Sequence, residues 1–548
     1  MSLVTPTILS GGKEMDPAFA LVSIDITKEV NRVPDAQLVL VDGDTAEKAW
    51  PVSDAAFFEP GKEVEIKLRY EEDAGSEATV FKGLVLRHGI ELQDDGSSYL
   101  TVEMKDAAVK LTAPRRSLVF RDVSDSEAIG KILQAAGLKK GKLEATKPKH
   151  PELVQYRATD WDFILSRAEV QGQLVVADDG AVSMAPLAVK GSAKRKFELG
   201  IDELYNLEIE ADAGHQVAGV ESSGWDPKKQ KLTPPKKAKA VRLAPGNLDG
   251  KRLAGAVGFD DTLLSHPVPL APEELQAWAD AGMAKSRIAM LRGRLSLPGI
   301  AAIKPLDIIE IAGVGQRFEG KTLVTGVRHR VDDEGWRTDL QFGLAPEWFG
   351  RREDVREAPA AGLLPPVSGL QVGVVAAFEE DPDKEFRLKV LLPGVDETDG
   401  KVWARLATPD AGKARGYFFR PEPGDEVVVG FFNDDPRQAV VLGAMYGSKN
   451  TPPAGVSELS DKNVDKAIVT KAGTQIAFAD ADKASVFIET PGQNKILLDD
   501  EGEKIELADQ HGNKVTLDKN GIVLKSAKDF KIDASGKVEI KGSKVDVK

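Results

Sequence analysis

A repeat near the C-terminal end constrains the fold of this chain more than any other feature. Short apolar–polar–apolar cells recur from about residue 470, and they begin at Ile476, Val486, Ile496, Ile505, Val515, Ile522, Phe530, Val538 and Val545. Their spacing shortens slightly toward the C-terminal end, and Gly, Asp or Asn usually lies between cells. Because strand side chains alternate between faces, each cell presents one apolar stripe. A short, nearly fixed period of this kind predicts a β-solenoid or β-prism.

The repeat also predicts an oligomer, since a single ribbon of cells has no second layer to bury its stripe. Three copies wrapped around an axis would form a triangular prism, a rod on the order of 40 Å long for nine layers at ~4.8 Å strand spacing. A monomeric meander or a disordered edge is the alternative, and the regularity of the cells argues against both. The predicted trimer core consists of Ile505, Leu507, Val515, Leu517, Ile522, Leu524, Phe530, Ile532, Val538, Ile540, Val545 and Val547.

Length and composition limit the function classes. A chain of 548 residues is too long for one core and predicts about three to five domains. It contains no cysteine, which excludes disulfides and thiolate chemistry, and its net charge of −14 disfavours a nucleic-acid-coating role. The N-terminus lacks a secretory signal pattern, and no apolar run approaches the ~20 residues of a membrane span. We therefore expect synthesis as a soluble protein in a bacterial cytoplasm.

Changes in composition and in the periodicity of apolar residues along the chain predict six segments and a mainly β fold with an α/β part. Residues 1–114 read as strands of a barrel. Residues 115–202 add two helices, with Ser124 or Ser126 and then Thr159 as N-caps. Residues 203–350 combine a helix with a second set of barrel strands, and 351–366 form a charged, Pro-rich linker. Residues 367–453 suit a small barrel such as an OB-fold, and 454–548 hold the repeat.

Searching the sequence for reaction chemistry predicts no enzyme. The histidines are scattered without metal-ligand spacing, and no nucleophile elbow or phosphate-binding loop is evident. Acidic pairs such as Glu379/Glu380 and Asp499/Asp500 sit at apparent turns. We predict no catalytic residue, no metal and no cofactor.

The small barrel is also a poor candidate for binding nucleic acid. It has 10 Lys and Arg against 14 Asp and Glu, whereas a binding groove needs clustered positive charge. We expect its aromatic run Tyr417–Phe419 to pack in a core or between subunits. The Lys-rich loop 228–239 could touch a partner, although its two prolines favour a solvated loop.

Ordered motifs in residues 367–453 resemble the OB-fold of contractile injection system spikes, the valine-glycine repeat proteins of type VI secretion and the hub-spikes of phage baseplates. The motif positions are Gly373, Trp403, Pro421, Gly424, Asp425, Phe431, Pro436 and Gly443. The stretch YRATDWDFILSRAEVQG, from Tyr156, is similar to a motif of the phage late-control hub protein, and residues 318–340 match its later barrel.

The resemblance implies a trimeric hub-spike in which the part of the chain before the linker forms the hub. Each chain would contribute two barrels, six in the trimer, so that a pseudo-sixfold ring can adapt to a hexameric tail tube. The OB-fold would be the neck and the β-helical repeat a membrane-puncturing needle. Implied partners are the tail tube, baseplate proteins, transiently the target membrane, and a tip protein of the proline-alanine-alanine-arginine repeat type, which would dock at Val547 and Lys548.

Two departures from the type VI pattern, a short needle and no effector domain after it, favour an extracellular phage-tail-like particle, such as the antifeeding prophage or the virulence cassettes. A carbohydrate-binding or -degrading phage tailspike is the alternative, because tailspikes often share trimeric β-prism ends. A tailspike should instead show a long solenoid with an acid- and aromatic-lined groove.

Overall fold

The computed structural model describes residues 3–456 and 460–548. The chain divides into two compact units, Met1–Glu357 and Ala358–Lys548. The architecture is mainly β with an α/β part in the first unit, as predicted.

The first strands alternate between a buried and a more exposed side. On paired strands, Ile24 lies beside Leu38 and Ile26 beside Ala36, and all four side chains are buried. Because directly paired residues share a face, this alternation forms one continuous core. The strands are β1 (Val4–Ser10), β2 (Lys13–Glu14), β3 (Leu21–Glu29), β4 (Asp35–Val41), β5 (Glu63–Tyr70), β6 (Ala78–Leu92) and β7 (Ser98–Lys105).

Both helices predicted in the middle segment begin at the expected caps. The Ser124 hydroxyl accepts the Glu127 backbone N–H, and the Glu127 carboxylate accepts the Ser124 N–H, a reciprocal capping box. The Thr159 hydroxyl caps the second helix by accepting the Asp162 N–H. The elements are β8 (Arg115–Ser124), α1 (Asp125–Ala135), β9 (Lys139–Leu143), β10 (Lys149–Thr159), α2 (Asp160–Val170), β11 (Gln173–Asp178) and β12 (Ala181–Pro186).

The rest of the first unit contains the predicted long helix, α4, and a short one that the sequence did not predict, α3. Asp249 caps α3, which ends at Gly258 in the left-handed conformation and buries little apolar surface. The elements are β13 (Arg195–Glu198), β14 (Asn206–Ala211), β15 (Val220–Asp226), β16 (Lys231–Leu232), β17 (Lys236–Lys237), α3 (Gly250–Val257), β18 (Thr262–His266), α4 (Pro272–Ile288), β19 (Leu291–Pro298), β20 (Ile308–Ala312), β21 (Gly320–Asp332) and β22 (Gly335–Phe342).

One sheet of 13 strands joins the two sets of barrel strands, because β3 pairs with β21 in antiparallel register. Across this seam Arg328 Nε donates to Asp25 Oδ1 at 2.8 Å. Trp336 of β22 packs into the core of the first set. A Cβ on Gly299 would lie 2.0 Å from the Trp336 ring, so only glycine fits there. The two sets of strands therefore share packing as well as hydrogen bonds.

The second unit begins with the predicted small barrel, which closes in the order β23-β24-β25-β29-β28. Val390, Val427 and Val429 fill its centre. The strands of this region are β23 (Gln371–Val375), β24 (Leu388–Leu391), β25 (Lys401–Leu406), β26 (Ala411–Gly412), β27 (Arg415–Gly416), β28 (Glu426–Phe431) and β29 (Ala439–Ala444).

The repeat folds as a seven-stranded antiparallel meander in which each strand pairs with the next. Six strands coincide with predicted cells, whereas the first was not predicted because its sequence, DKAIV, lacks the apolar–polar–apolar pattern. Within residues 460–548, strand pairing ends at Lys525, so the predicted cells at Phe530, Val538 and Val545 form no strand within the chain. The strands are β30 (Asp465–Val469), β31 (Gln475–Ala479), β32 (Ser485–Glu489), β33 (Lys495–Asp499), β34 (Lys504–Ala508), β35 (Lys514–Asp518) and β36 (Gly521–Lys525).

Candidate functional site

The register of the tail sheet gathers its apolar side chains on one face. Ile496 pairs with Leu507, Leu507 with Val515, and Val515 with Leu524, so these residues point to the same side. Residues two apart in each strand join them. We call this surface the apolar tail face; it consists of Ile468, Ile476, Phe478, Val486, Ile488, Ile496, Leu498, Ile505, Leu507, Val515, Leu517, Ile522 and Leu524.

The chain leaves this face largely uncovered. Ile522 is 70% exposed and Leu524 58%, and Ile505 and Leu507 are also exposed. Monomeric soluble proteins rarely expose contiguous apolar patches of this kind, and such patches usually mark an interface. The face is therefore the strongest candidate interaction surface in the described residues.

The opposite face of the tail sheet combines paired charges with the apolar side chains of Phe487, Leu497 and Val523. Lys514 Nζ donates to Glu506 Oε2 at 2.6 Å, while the Lys504 and Lys495 ammonium groups lie 3.7 and 3.9 Å from the same carboxylate. The hydrogen bond from Lys514 holds the pKa of Glu506 below its usual range. The three ammonium groups thus compensate the charge of a carboxylate that is only 6% exposed.

The segment after Lys525 continues the alternation without strand pairing in its own chain. Lys537 Nζ lies 2.8 Å from Glu539 Oε2, two positions on, so these charges share one side while Val538 and Ile540 alternate with them. The apolar side chains of the three final cells are exposed, and Val547 is 93% exposed. These side chains, together with those of Ile505, Leu507, Val515, Leu517, Ile522 and Leu524, are the ones predicted to form the trimer core, and their assembly stays a prediction. Tip docking at Val547 and Lys548 stays a prediction.

The barrel motif residues predicted from the sequence have structural roles. A Cβ on Gly373 would lie 2.5 Å from Val390, so only glycine fits inside the barrel. Gly424 has a φ of +93°, which favours glycine, and the turn is fixed by Asp425 Oδ2, which accepts the Glu422 N–H at 2.8 Å. Pro421 immediately precedes this turn. These residues position strands.

The remaining motif residues of the barrel also act locally. The guanidinium of Arg387 lies 5.7 Å from the centre of the Trp403 ring, a cation–π contact on the barrel wall. Phe431 packs partly against the barrel core. Pro436 lies in the turn before β29, and Gly443 lies beside a bulge where the β28–β29 register shifts.

The hub-like motif around α2 is organised by a partly buried arginine. Arg167 Nε donates to Asp125 Oδ1 at 2.5 Å, and an Arg167 terminal nitrogen donates to Glu274 Oε1 at 2.8 Å. The buried His150 ring lies 3.3 Å from Asp125 Oδ2. These residues tie α1, α2 and α4 together. No local sequence signal indicated this network, because Asp125 and Glu274 lie in distant parts of the chain.

The most perturbed histidine serves packing. His329 is fully buried, and its Nδ1 forms a 3.0 Å hydrogen bond with Thr338 Oγ1. Burial lowers the pKa of His329 to about 3. Within residues 3–456 and 460–548, no group of three or more His, Cys, Asp or Glu side chains is placed to hold a metal ion. In that same part of the chain, no helix has both the length and the apolarity of a membrane span.

Three family models match the chain. The Alg8 N-terminal domain matches residues 1–333, the type VI secretion system/phage-baseplate injector OB domain matches 371–446, and the phage baseplate V C-terminal trimerisation domain matches 485–548. The two matches in the second unit are thus to domains of phage-baseplate and type VI secretion injector proteins. The chain belongs to the family of the Alg8 N-terminal domain, whose model spans more than half of its 548 residues.

The curated relatives of this chain match it over only part of its length. The chain is 32% identical over 131 residues to "Actin cross-linking toxin VgrG1" of Vibrio cholerae, which is 23% of this chain and 11% of that protein. It is 33% identical over 122 residues to "Type VI secretion system spike protein VgrG2a" of Pseudomonas aeruginosa, which is 21% of this chain and 14% of that protein. The chain therefore spans less than a sixth of the length of either of these relatives.

Solved structures show distant likeness. The 43 kDa tail protein of prophage MuSo2 from Shewanella oneidensis aligns with a TM-score of 0.46 and 13% identity, over 63% of this chain and 98% of that one. An E. coli protein described as a type VI secretion component similar to T4 tail proteins gp27 and gp5 aligns with a TM-score of 0.38 and 12% identity, over 80% and 99%. A chain of the Francisella PdpA–VgrG complex gives a TM-score of 0.40 and 9% identity, over 96% and 88%.

Proposed function

We propose that three copies of this chain form the hub-spike of a contractile, phage-tail-like injection system. The apolar tail face carries the proposal: it is continuous, exposed in the single chain, and lies largely within the region matched by the trimerisation model. Three such faces turned toward an axis would bury one another and form a closed homotrimer.

The exposed final cells support the same arrangement. Their backbone lacks strand partners within the chain. If the cells are buried in a trimer, this backbone needs partners, because buried backbone groups in native proteins are almost always hydrogen-bonded. Strands from the other two copies would supply both the hydrogen bonds and the apolar cover. The resulting needle would have no open sheet edge along its length.

The work of this assembly would be mechanical. Sheath contraction would drive the tail tube and the needle through a target membrane, and no covalent bond would need to change. We therefore propose no catalytic role for the chain. Its partners would be the tail tube, baseplate proteins and a proline-alanine-alanine-arginine repeat tip, and its place the baseplate of a particle released outside the cell.

Labelled particles provide the test. An epitope tag inserted in the exposed loop at Asp94–Gly96 would be detected by gold-conjugated antibody on particles purified from the producing bacterium. We expect gold at one end of sheathed particles, and an untagged strain gives the background. Gold along the sheath or on side fibres, or a sheathed particle that lacks the chain, would contradict the proposal.

A further inference from the structure

The barrel of the second unit exposes a run of three aromatic side chains. Tyr417, Phe418 and Phe419, here called the aromatic ridge, are all more than half exposed, and Phe418 is 67% exposed. Phe378 and Phe386 are exposed beside the same part of the barrel, and Phe386 is 77% exposed. Exposed apolar side chains that cluster in this way mark an interaction surface.

The ridge is held in place before any partner arrives. The Tyr417 N–H donates to the Asp410 carbonyl at 2.9 Å, and Arg415 pairs with Asp410 at 2.6 Å, which fixes the hairpin before the ridge. The Arg420 guanidinium lies 5.0 Å from the Phe418 ring centre and 5.5 Å from that of Phe378. Such cation–π contacts orient the rings and lower the entropy lost on binding.

A hollow of about 340 Å³ lies beside the ridge. Phe378, Phe386 and Arg420 line it, together with Lys389, which is neutralised by Glu379 at 2.8 Å. Leu388 adds a third apolar side chain to the two phenylalanines, whereas the rest of the lining is charged and includes the Arg387–Asp381 pair at 2.6 Å. The apolar part of this hollow suits an apolar or aromatic side chain of a partner, with polar groups around its edge.

The position of the ridge indicates which partner covers it. Glu422, which closely follows Phe419 in the chain, accepts a 2.9 Å hydrogen bond from Lys471. Lys471 lies in the turn between β30 and β31, at the start of the tail sheet. The ridge therefore lies three residues from a contact between the barrel and the start of the tail sheet, whose apolar face would surround the trimer axis. Surfaces close to a threefold axis meet their own copies.

We infer that the aromatic ridge and the hollow beside it pack against a second copy of this chain, and form an aromatic collar above the needle. This inference rests on the proposed trimer and goes beyond it, because the needle could assemble with the barrels apart. The collar would transmit force from barrel to needle through buried aromatic contacts, the side chains that dominate interface energetics.

Thiol labelling tests the collar, since the chain has no cysteine of its own. Phe418→Cys is made in the full chain and in the same chain carrying Leu524→Asp, which should remain monomeric. We expect maleimide labelling at least about tenfold slower in the trimer than in the monomer, equal to about 1.4 kcal/mol of protection. Glu397→Cys, in the exposed loop after β24, serves as the control and should label at one rate in both.

Each of the other possible outcomes would contradict either the collar or the trimer. Equal rates for Phe418→Cys in a chain that native mass spectrometry shows to be trimeric would refute the collar and leave the trimer standing. Slow labelling in both forms would mean that the chain itself covers the ridge, and would also refute it. Protection that appears only when another protein is added would assign the ridge to that partner instead. A chain that is monomeric without Leu524→Asp would overturn the proposed function itself.

Discussion

The first-unit sheet and the tail sheet use the same apolar alternation and bury it differently. Ile66 and Leu38 are fully buried within the 13-stranded sheet, whereas Ile522 and Leu524 of the tail are more than half exposed. The difference lies in what covers each apolar side. Buried side chains of β1 and β3–β7 pack against one another and against Phe58 and Trp336 in one core, while the meander remains a single layer. An identical pattern can therefore signal either a completed core or a surface made for other copies.

The largest expected effect separates the two faces of the tail. Leu524→Asp should abolish the trimer at micromolar concentration, because an unpaired carboxylate buried in three copies costs several kcal/mol each. Leu524 is exposed in the single chain, so the tail sheet itself should tolerate the change. Native mass spectrometry would show 59.0 kDa monomers instead of a species of three times that mass.

The neighbouring residue gives a matched control for that variant. Lys525→Asp places the same charge one position along, on the opposite face, and should leave the trimer intact. If both variants remained trimeric, or both became monomeric, the assignment of the two faces would be wrong.

The second-largest expected effect is the loss of stability caused by a cavity in the first-unit core. Ile66→Ala should lower the free energy of unfolding of this unit by about 2–5 kcal/mol, since Ile66 is fully buried. Ile522→Ala removes the same atoms from a position that is 70% exposed in the single chain, and should leave the first-unit transition unchanged. Urea denaturation followed by tryptophan fluorescence would measure both. If Ile522→Ala also shifted the unfolding transition of the first unit, the proposed difference between the first-unit core and the tail face would be wrong.

Acid should weaken the first unit through His329, whose pKa of about 3 lies below the ordinary value of about 6.5. The folded form then binds fewer protons than the unfolded form, so its stability is complete above pH 6.5 and falls as the pH drops toward 3. Between pH 7 and pH 5 we expect a loss of about 2 kcal/mol.

Substitution separates this histidine from the others. His329→Gln keeps a side chain that can hydrogen-bond to Thr338 and should flatten the pH dependence of the unfolding free energy. His511→Gln changes an exposed histidine of the tail and should not. An unchanged slope in His329→Gln would mean that another group controls the acid response.

The smallest effect concerns local rather than tertiary contacts. Ser124→Ala removes the hydroxyl that caps α1 and should cost about 1 kcal/mol of first-unit stability, read as a shift of the thermal midpoint. Ser124→Asp retains an acceptor and should recover most of that loss. Equal destabilisation by both changes would show that the site depends on side-chain size instead of capping.

Local features of the sequence were predictable because their causes are local. The caps of α1 and α2, the strands of the small barrel and six tail strands follow from patterns within short stretches of the chain. Helix α3 was missed because it is only eight residues long and contains two glycines, which weaken helix propensity. The Arg167 network and the pairing of β3 with β21 were missed because each joins residues far apart in the chain.

For the candidate site, the sequence alone determined which tail residues share an apolar stripe, since strand geometry fixes side-chain alternation. It did not determine how far each chain pairs with itself. Only the tertiary structure placed the boundary at Lys525, after which the cells continue without strand partners in the described chain. It also placed the aromatic ridge next to the contact between barrel and tail. The physical reason is that alternation is a property of single strands, whereas burial depends on which layer, from the same chain or another, covers them.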